Sequence, residues 1–94
     1  MEIVDNTEAR RFEGTIDGHR AELTYRRHGN RLVLIHTEVP EELEGNGLGG
    51  ALITAAIDDA AEHSLTVVPQ CPFARSWLKR HPEIAARSRI DWHA

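Results

Sequence analysis

Cysteine is nearly absent from this chain of 94 residues, whose one thiol is Cys71. A single thiol excludes an internal disulfide and any zinc site built from several cysteines. Long apolar runs are also missing, since none approaches the roughly 18 residues that a membrane-spanning helix needs. The first six residues lack the basic and apolar regions of a signal peptide. We therefore expect a cytoplasmic protein that makes no contact with a membrane.

Positive charge is scarce as well. The chain has 11 lysines and arginines against 15 acidic residues, and its formal net charge is -4. This balance argues against nucleic acid as a partner, because nucleic-acid binding normally requires a basic surface. The six histidines show no spacing typical of metal ligands, so we expect no metal site.

Apolar residues make up 40% of the chain, which is enough for the core of one small domain. Residues 1–9 are polar and predict a flexible N-terminus, and residues 10–94 then form a single domain. Alternating apolar residues and short turns predict three consecutive strands in an antiparallel meander. We expect these strands at Phe12–Ile16, Ala21–Arg26 and Arg31–Val39.

Helical patterns dominate the second half. Leu48–Glu62 is apolar around most of its circumference, which is typical of a helix lying against a sheet. The β-branched run Leu65–Val68 predicts a fourth strand, near-parallel to the third across this helical crossover. A further helix is expected from Pro72 or Phe73 to Arg80, and Pro82–Ala86 favours a short last one. The predicted class is α/β (α+β), with one or two C-terminal helices.

A glycine-rich turn, Glu44–Gly50, separates the third strand from the first helix. Such a turn can aim backbone N–H groups at a phosphate. Its glycines also match the dinucleotide fingerprint G-x-G-x-x-G, but that site needs an acidic residue about 20 residues further on. Leu65–Pro69 offers none, and no Gly-Lys-Ser/Thr follows for a P-loop. Two interpretations stay open: an anion site, or a plain tight turn that permits close packing.

Three side chains are candidates for chemistry. Cys71 lies between the fourth strand and a helix, where a helix N-terminus favours the thiolate form. It is equally consistent with a small buried apolar residue. His36 and Glu38 have the same parity on the third strand, so they face one side of the sheet and could supply a base. The alternative is a hydrogen-bonded imidazole in the sheet and a solvated carboxylate near the strand end.

A family resemblance joins these segments. The turn resembles the Q/R-x-x-G-x-G/A motif of the GNAT N-acetyltransferase superfamily, at Glu44, Gly47 and Gly49, although Glu44 stands where Gln or Arg is usual. The chain is also similar to a very short single-domain GNAT-like branch over residues 10–85. The shared segments are His36-Thr37-Glu38-Val39, the glycine turn, Cys71-Pro72-Phe73 and Lys79-Arg80-His81-Pro82.

The resemblance implies acetyl-CoA as co-substrate and N-acetyl transfer to an unknown amine. Cys71 would take the acetyl group as a thioester or donate a proton to the leaving CoA thiolate, with His36 and Glu38 as further catalytic candidates. Arg75, Lys79 and Arg80 would offset the charge of Glu44 if the helix that carries them faces the same cleft. The implied cofactor-binding residues are Val39, Gly45, Asn46, Gly47, Leu48, Gly49, Gly50, Arg75 and Lys79.

The acceptor side is expected to be open. Asp17-Gly18 joins two strands directly, where a usual GNAT domain inserts helices that build the acceptor site. This geometry suits an extended peptide or a protein as acceptor, and a monomer or a homodimer. Two alternatives are a non-catalytic acyl-CoA-binding or sensing module, and a small interaction domain without CoA.

Overall fold

A computed structural model of the chain describes residues 2–93 and shows one six-stranded sheet with three helices. The strands occur in spatial order β1-β2-β3-β4-β5-β6; β1 to β4 are antiparallel, and β5 and β6 run parallel to β4. This arrangement confirms the predicted meander and crossover. The elements are β1 Ile3–Asn6, β2 Arg11–Ile16, β3 His19–His28, β4 Arg31–Glu38, α1 Leu48–Glu62, β5 Thr66–Pro69, α2 Pro72–Arg80, α3 Pro82–Ala85 and β6 Arg89–Ile90.

The N-terminal residues differ from the prediction. Ile3–Asn6 forms an edge strand paired with β2, so the expected flexible N-terminus is corrected for these residues. Ile3 packs against the core, and Asp5 accepts a hydrogen bond from the Tyr25 hydroxyl at 2.6 Å. These contacts reach distant parts of the chain, which explains why a local polar pattern does not reveal them. Met1 and Ala94, the outer limits of the predicted segments, lie outside the described residues.

The core lies between the sheet and the first two helices. α1 packs across β1, β2 and β3, and its buried residues spread around most of the helix, as its apolar sequence predicts. α2 adds Ala74 and Leu78 to the same apolar cluster, so both helices cover one face of the sheet. On the described residues, the opposite face carries no helix and presents charged side chains from β2 and β3, including Arg11, Glu13 and Glu22.

The pairing between β4 and β5 ends halfway along β4. Their paired register ends at Leu34 and Pro69, although β4 continues to Glu38. The Gln70 N–H, which would continue the ladder, donates to the Val68 carbonyl at 3.0 Å, and the Cys71 N–H donates to the Leu34 carbonyl instead. Ile35 has no partner on β3, so β4 carries a bulge at the same level, and bulges bend the strand that contains them. A gap therefore opens between the last residues of β4 and the start of α2.

Tyr25 links the edge strand to the core. The side chain is 7% exposed, and its ring centroid lies 5.1 Å from that of Phe12. Burial, followed by the hydrogen bond to Asp5, raises the pKa of Tyr25 well above its ordinary range. Because the unfolded chain ionises first, the stability that this tyrosine contributes is complete below the ordinary value of 10.0 and falls as the pH rises beyond it.

We predict that the folded protein shows no phenolate absorbance until the pH is well above 10.0. Tyr25 is the only tyrosine, so the absorbance reports on it alone. In Tyr25→Phe, the alkaline loss of unfolding free energy should be smaller than in the wild type. Phenolate formation near 10.0 with an unchanged far-ultraviolet circular dichroism spectrum would contradict the account.

Candidate active site

The glycine turn takes a backbone path that ordinary residues avoid. Gly45 and Gly47 have φ angles of 85° and 71°, in the left-handed region that favours glycine. A 3₁₀ helix at Glu41–Leu43 leads into the turn, and the Asn46 N–H donates to the Leu43 carbonyl at 3.3 Å. Gly47 is the N-cap of α1 and supplies no side-chain cap. The first turn of α1 is therefore open at its N-terminus.

Three backbone donors are free at this helix end. The Ala51 N–H donates to the Gly47 carbonyl at 3.0 Å, but the N–H groups of Leu48, Gly49 and Gly50 have no acceptor within residues 2–93. These donors and the positive end of the helix dipole point the same way. Such an arrangement suits an anion, and a phosphate in particular.

A cleft of about 220 Å³ lies at this helix end. It contains the residues predicted for the turn except Asn46, and Val39 from the end of β4 joins them. Leu43, Phe73 and Trp77 also line it, although the sequence pattern does not mark them as site residues. The full lining is Val39, Leu43, Glu44, Gly45, Gly47, Leu48, Gly49, Gly50, Phe73 and Trp77.

Gly49 and Gly50 serve close packing between the helices. A Cβ atom on Gly49 would lie 2.9 Å from the ring of Phe73, and one on Gly50 would lie 2.7 Å from the indole nitrogen of Trp77. Real Cβ atoms do not approach neighbours so closely. Close packing, which is part of the second interpretation of the turn, thus applies to Gly49 and Gly50, while Gly45 and Gly47 shape its backbone.

Phe73 and Trp77 form the aromatic wall of the cleft, and contacts with His81 fix the position of Trp77. Trp77 stacks on His81, with ring centroids 3.9 Å apart and an interplanar angle of 15°. His81 Nδ1 lies 2.8 Å from the Trp77 carbonyl oxygen, which holds the imidazole at the end of α2. Phe73 is 43% exposed and forms the outer part of the wall.

Arg75 and Lys79 do not line the cleft at the glycine turn. Their cationic groups are 5.9 Å and 5.8 Å from the ring centroid of Trp92, a typical cation–π distance. Residues four apart share one face of a helix, and Phe73 and Trp77 already occupy the face of α2 that meets the turn. The structure therefore does not bring these two predicted ligands to the glycine turn.

Glu44 remains the unusual residue of the cleft. It is exposed at the end of the 3₁₀ helix, and its N–H donates to the Glu41 carbonyl at 3.2 Å. No basic side chain lines the cleft among the described residues. A bound phosphate would therefore depend on backbone donors and would meet a carboxylate at the first position of the turn.

Cys71 lies where β4 and β5 separate. It is the N-cap of α2 and 3% exposed, and its N–H donates to the Leu34 carbonyl at 2.9 Å. Its Sγ atom is 3.3 Å from Thr37 Oγ1. The thiol is thus part of the packed core and also lies beside the gap, so this position suits packing and proton transfer alike.

His36 and Glu38 lie on the other face of the sheet. They pair with Thr24 and Glu22, whereas Thr37 pairs with the buried Leu23. Paired residues share a face, so the side chains of His36 and Glu38 point away from Cys71. Both are exposed. The structure brings Cys71 together with Thr37 and places the other two candidates across the strand.

Within residues 2–93, no three His, Cys, Asp or Glu side chains are grouped in a way that could hold a metal ion. None of the helices described there has the length and apolarity to cross a bilayer.

Comparisons with known proteins agree with one another. A model of the GCN5-related N-acetyl-transferase family matches residues 11–87. Protein NATD1 of Gallus gallus is 32% identical over 85 residues, covering 87% of this chain and 77% of NATD1. Protein NATD1 of Homo sapiens is 36% identical over 76 residues, covering 78% of this chain and 67% of NATD1. The NMR structure of a GCN5-like protein from Staphylococcus aureus is 29% identical, with a TM-score of 0.72 over 98% of this chain and 91% of that one.

The close contact between Gly50 and Trp77 predicts how a substitution at Gly50 changes the free energy of unfolding. Gly50→Ala should lower the unfolding free energy by about 1–2 kcal/mol, because the new methyl group overpacks against Trp77. In a Trp77→Ala background the same change should raise it by up to about 1 kcal/mol, since alanine is the better helix former. Urea unfolding of the four proteins completes the cycle. If Gly50→Ala has the same effect in both backgrounds, the indole does not explain this glycine.

Proposed function

The chain belongs to the GCN5-related N-acetyltransferase family, and we propose that it transfers an acetyl group from acetyl-CoA to an amine. The observation that carries the proposal is the open N-terminus of α1, whose three free N–H groups border the cleft. The residues of the cleft suit a diphosphate because the donors are backbone groups, which need no charged partner to be aligned. Gly45, Asn46 and Gly47 complete the loop around it.

The gap between β4 and β5 is the proposed place for the pantetheine arm. Beyond Leu34 the side of β4 that faced β5 has no neighbouring strand, so its backbone groups can pair with the amides of the arm. Val39 follows the last paired residue of β4 and lines the cleft. Its N–H is the candidate donor to the acetyl oxygen, where negative charge develops during transfer.

Acetyl transfer requires two proton transfers. The amine nitrogen attacks the thioester carbon, the carbon–sulfur bond breaks, the amine loses one proton and the CoA thiolate gains one. We assign Cys71 as the proton donor to the thiolate. Its thiol, 3.3 Å from Thr37 Oγ1, can pass a proton without leaving its packed position.

The acceptor is proposed to arrive from the opposite face. In the described residues no helix covers that face, and His36 and Glu38 are exposed on it at the end of β4 where the gap opens. Either side chain could take the proton of the incoming amine. An uncovered sheet face accommodates an extended peptide or a protein surface more readily than it encloses a small molecule, so we propose a peptide or protein amine as acceptor.

A matched pair of glycine variants tests the CoA site. Gly47→Asp places a carboxylate at the N-cap of α1, where it competes for the free N–H groups and repels the diphosphate. Gly29→Asp is the control, since Gly29 also has a left-handed φ, of 60°, and open space around it, but lies in the β3–β4 hairpin. Isothermal titration with CoA should show roughly tenfold or greater weakening for Gly47→Asp alone, about 1.4 kcal/mol or more. Equal affinities in the two variants would place the diphosphate elsewhere.

Replacement of Cys71 tests its role. With a peptide amine as acceptor and release of free CoA as readout, Cys71→Ala should lower kcat by about 10²-fold, as loss of a proton-transfer group does. Cys71→Ser should keep more activity because its hydroxyl still donates. Intact mass should show no acetyl adduct on the wild-type protein.

Other outcomes separate the alternatives. An adduct on Cys71 that disappears when amine is added would establish the covalent route instead. Full activity of Cys71→Ala would assign the thiol to packing. Binding of acetyl-CoA with no CoA released for any amine or peptide would favour the non-catalytic module, and absence of binding would leave a small interaction domain.

A further inference from the structure

A second cavity lies at the other end of the sheet from the glycine turn. It has a volume of about 390 Å³ and is lined by Thr7, Arg10, Tyr25, Arg26 and Arg27. β3 runs from Glu22, beside Glu38 at the gap, to His28, beside Arg31 at the opposite end of β4. The cavity therefore belongs to the far end of β3, and its lining shares no residue with the proposed CoA cleft.

The cavity exists because β3 is longer than its neighbour. β2 pairs with β3 only as far as Thr24, while β3 continues to His28. The Tyr25 N–H still donates to the Arg10 carbonyl at 2.9 Å, across the turn that enters β2. Backbone groups two residues apart point to the same side of a strand, so the Arg27 N–H also points toward the cavity. No strand of the described chain lies there to accept it. We call this region at the free edge of β3 the corner.

Three arginines without carboxylate partners among the described residues line the cavity; on β3, Arg27 shares the side of Tyr25 and Arg26 has the opposite side, so the two side chains flank the exposed edge of the strand. Within residues 2–93, the side chains of Arg10, Arg26 and Arg27 have no Asp or Glu oxygen within 4.0 Å, although the chain carries 15 acidic residues. The nearby Asp5 carboxylate accepts the Tyr25 hydroxyl. Even with Asp5 nearby, the described lining carries three arginines and no acidic residue, so its formal charge is positive in a chain of net charge -4.

Arg10 has a backbone conformation that is unfavourable for arginine. Its φ of 58° lies in the left-handed region, where any side chain with a Cβ is disfavoured and glycine or asparagine is usual. The turn therefore gains nothing locally from arginine. Backbone strain at a residue whose side chain lines a cavity is a feature of binding sites.

We propose that this corner is a second anion site that binds a small molecule carrying at least two phosphate groups. Guanidinium groups donate two parallel hydrogen bonds to a phosphate, and the Arg27 N–H and the Thr7 hydroxyl can add single donors. The cavity volume falls in the range of small-molecule sites. The proposal does not depend on the acetyl-transfer function, because none of its residues lines the cleft at the glycine turn.

Inorganic pyrophosphate is the probe, added to the full chain while backbone amide and arginine Nε–Hε signals are followed by NMR. The expected result is saturable shifts at Arg10, Arg26 and Arg27, separate from any shifts at the glycine turn. Arg26→Ala/Arg27→Ala should weaken binding at this corner by roughly tenfold or more. The double variant Arg87→Ala/Arg89→Ala carries the same charge change outside the cavity and should bind as the wild type does.

Arg10→Gly separates binding from stability. It removes one guanidinium and relieves the left-handed strain, so pyrophosphate affinity should fall while the thermal midpoint stays the same or rises. Citrate distinguishes phosphate recognition from charge alone and should bind more weakly than pyrophosphate. The proposal is overturned if no saturable shift appears at the corner at millimolar pyrophosphate, if the two double variants weaken binding equally, or if citrate binds as tightly.

Discussion

The separation of β4 from β5 beyond Leu34 is the constraint on which the rest of the candidate site depends. The Gln70 N–H donates to the Val68 carbonyl and so leaves the ladder, the bulge at Ile35 bends β4 at the same level, and the Cys71 N–H donates to the Leu34 carbonyl. The backbone groups on both sides of an inner strand are normally paired by hydrogen bonds. Here the last residues of β4 keep one side without a neighbouring strand, and α2 begins beside the opening.

The opening connects two environments that have different chemistry. On the helix-covered face, the N-terminus of α1 presents three free N–H groups, and Phe73 and Trp77 wall the cleft. On the uncovered face, His36 and Glu38 are exposed among charged side chains of the neighbouring strands. This division suits a reaction in which a phosphate-bearing donor and a polar acceptor approach from opposite sides of one sheet.

Local patterns in the sequence predict much of this fold. The limits of α1 follow from its continuous apolar surface, and the left-handed glycines of the turn follow from their spacing. Contacts between distant segments are harder to predict. Ile3 pairs with Gly14, and the guanidinium of Arg75 lies over the ring of Trp92; nothing within a short window reveals either contact. The bulge at Ile35 is likewise a property of two paired strands.

We propose above all that the free N–H groups at the start of α1 bind the diphosphate of acetyl-CoA. The most direct measurement is an NMR titration of the full chain with acetyl-CoA that follows every assigned backbone amide. We expect the amide signals of Leu48, Gly49 and Gly50 to move furthest and to saturate together, as new hydrogen bonds to phosphate form. Saturating shifts that leave these three amides unchanged would contradict it.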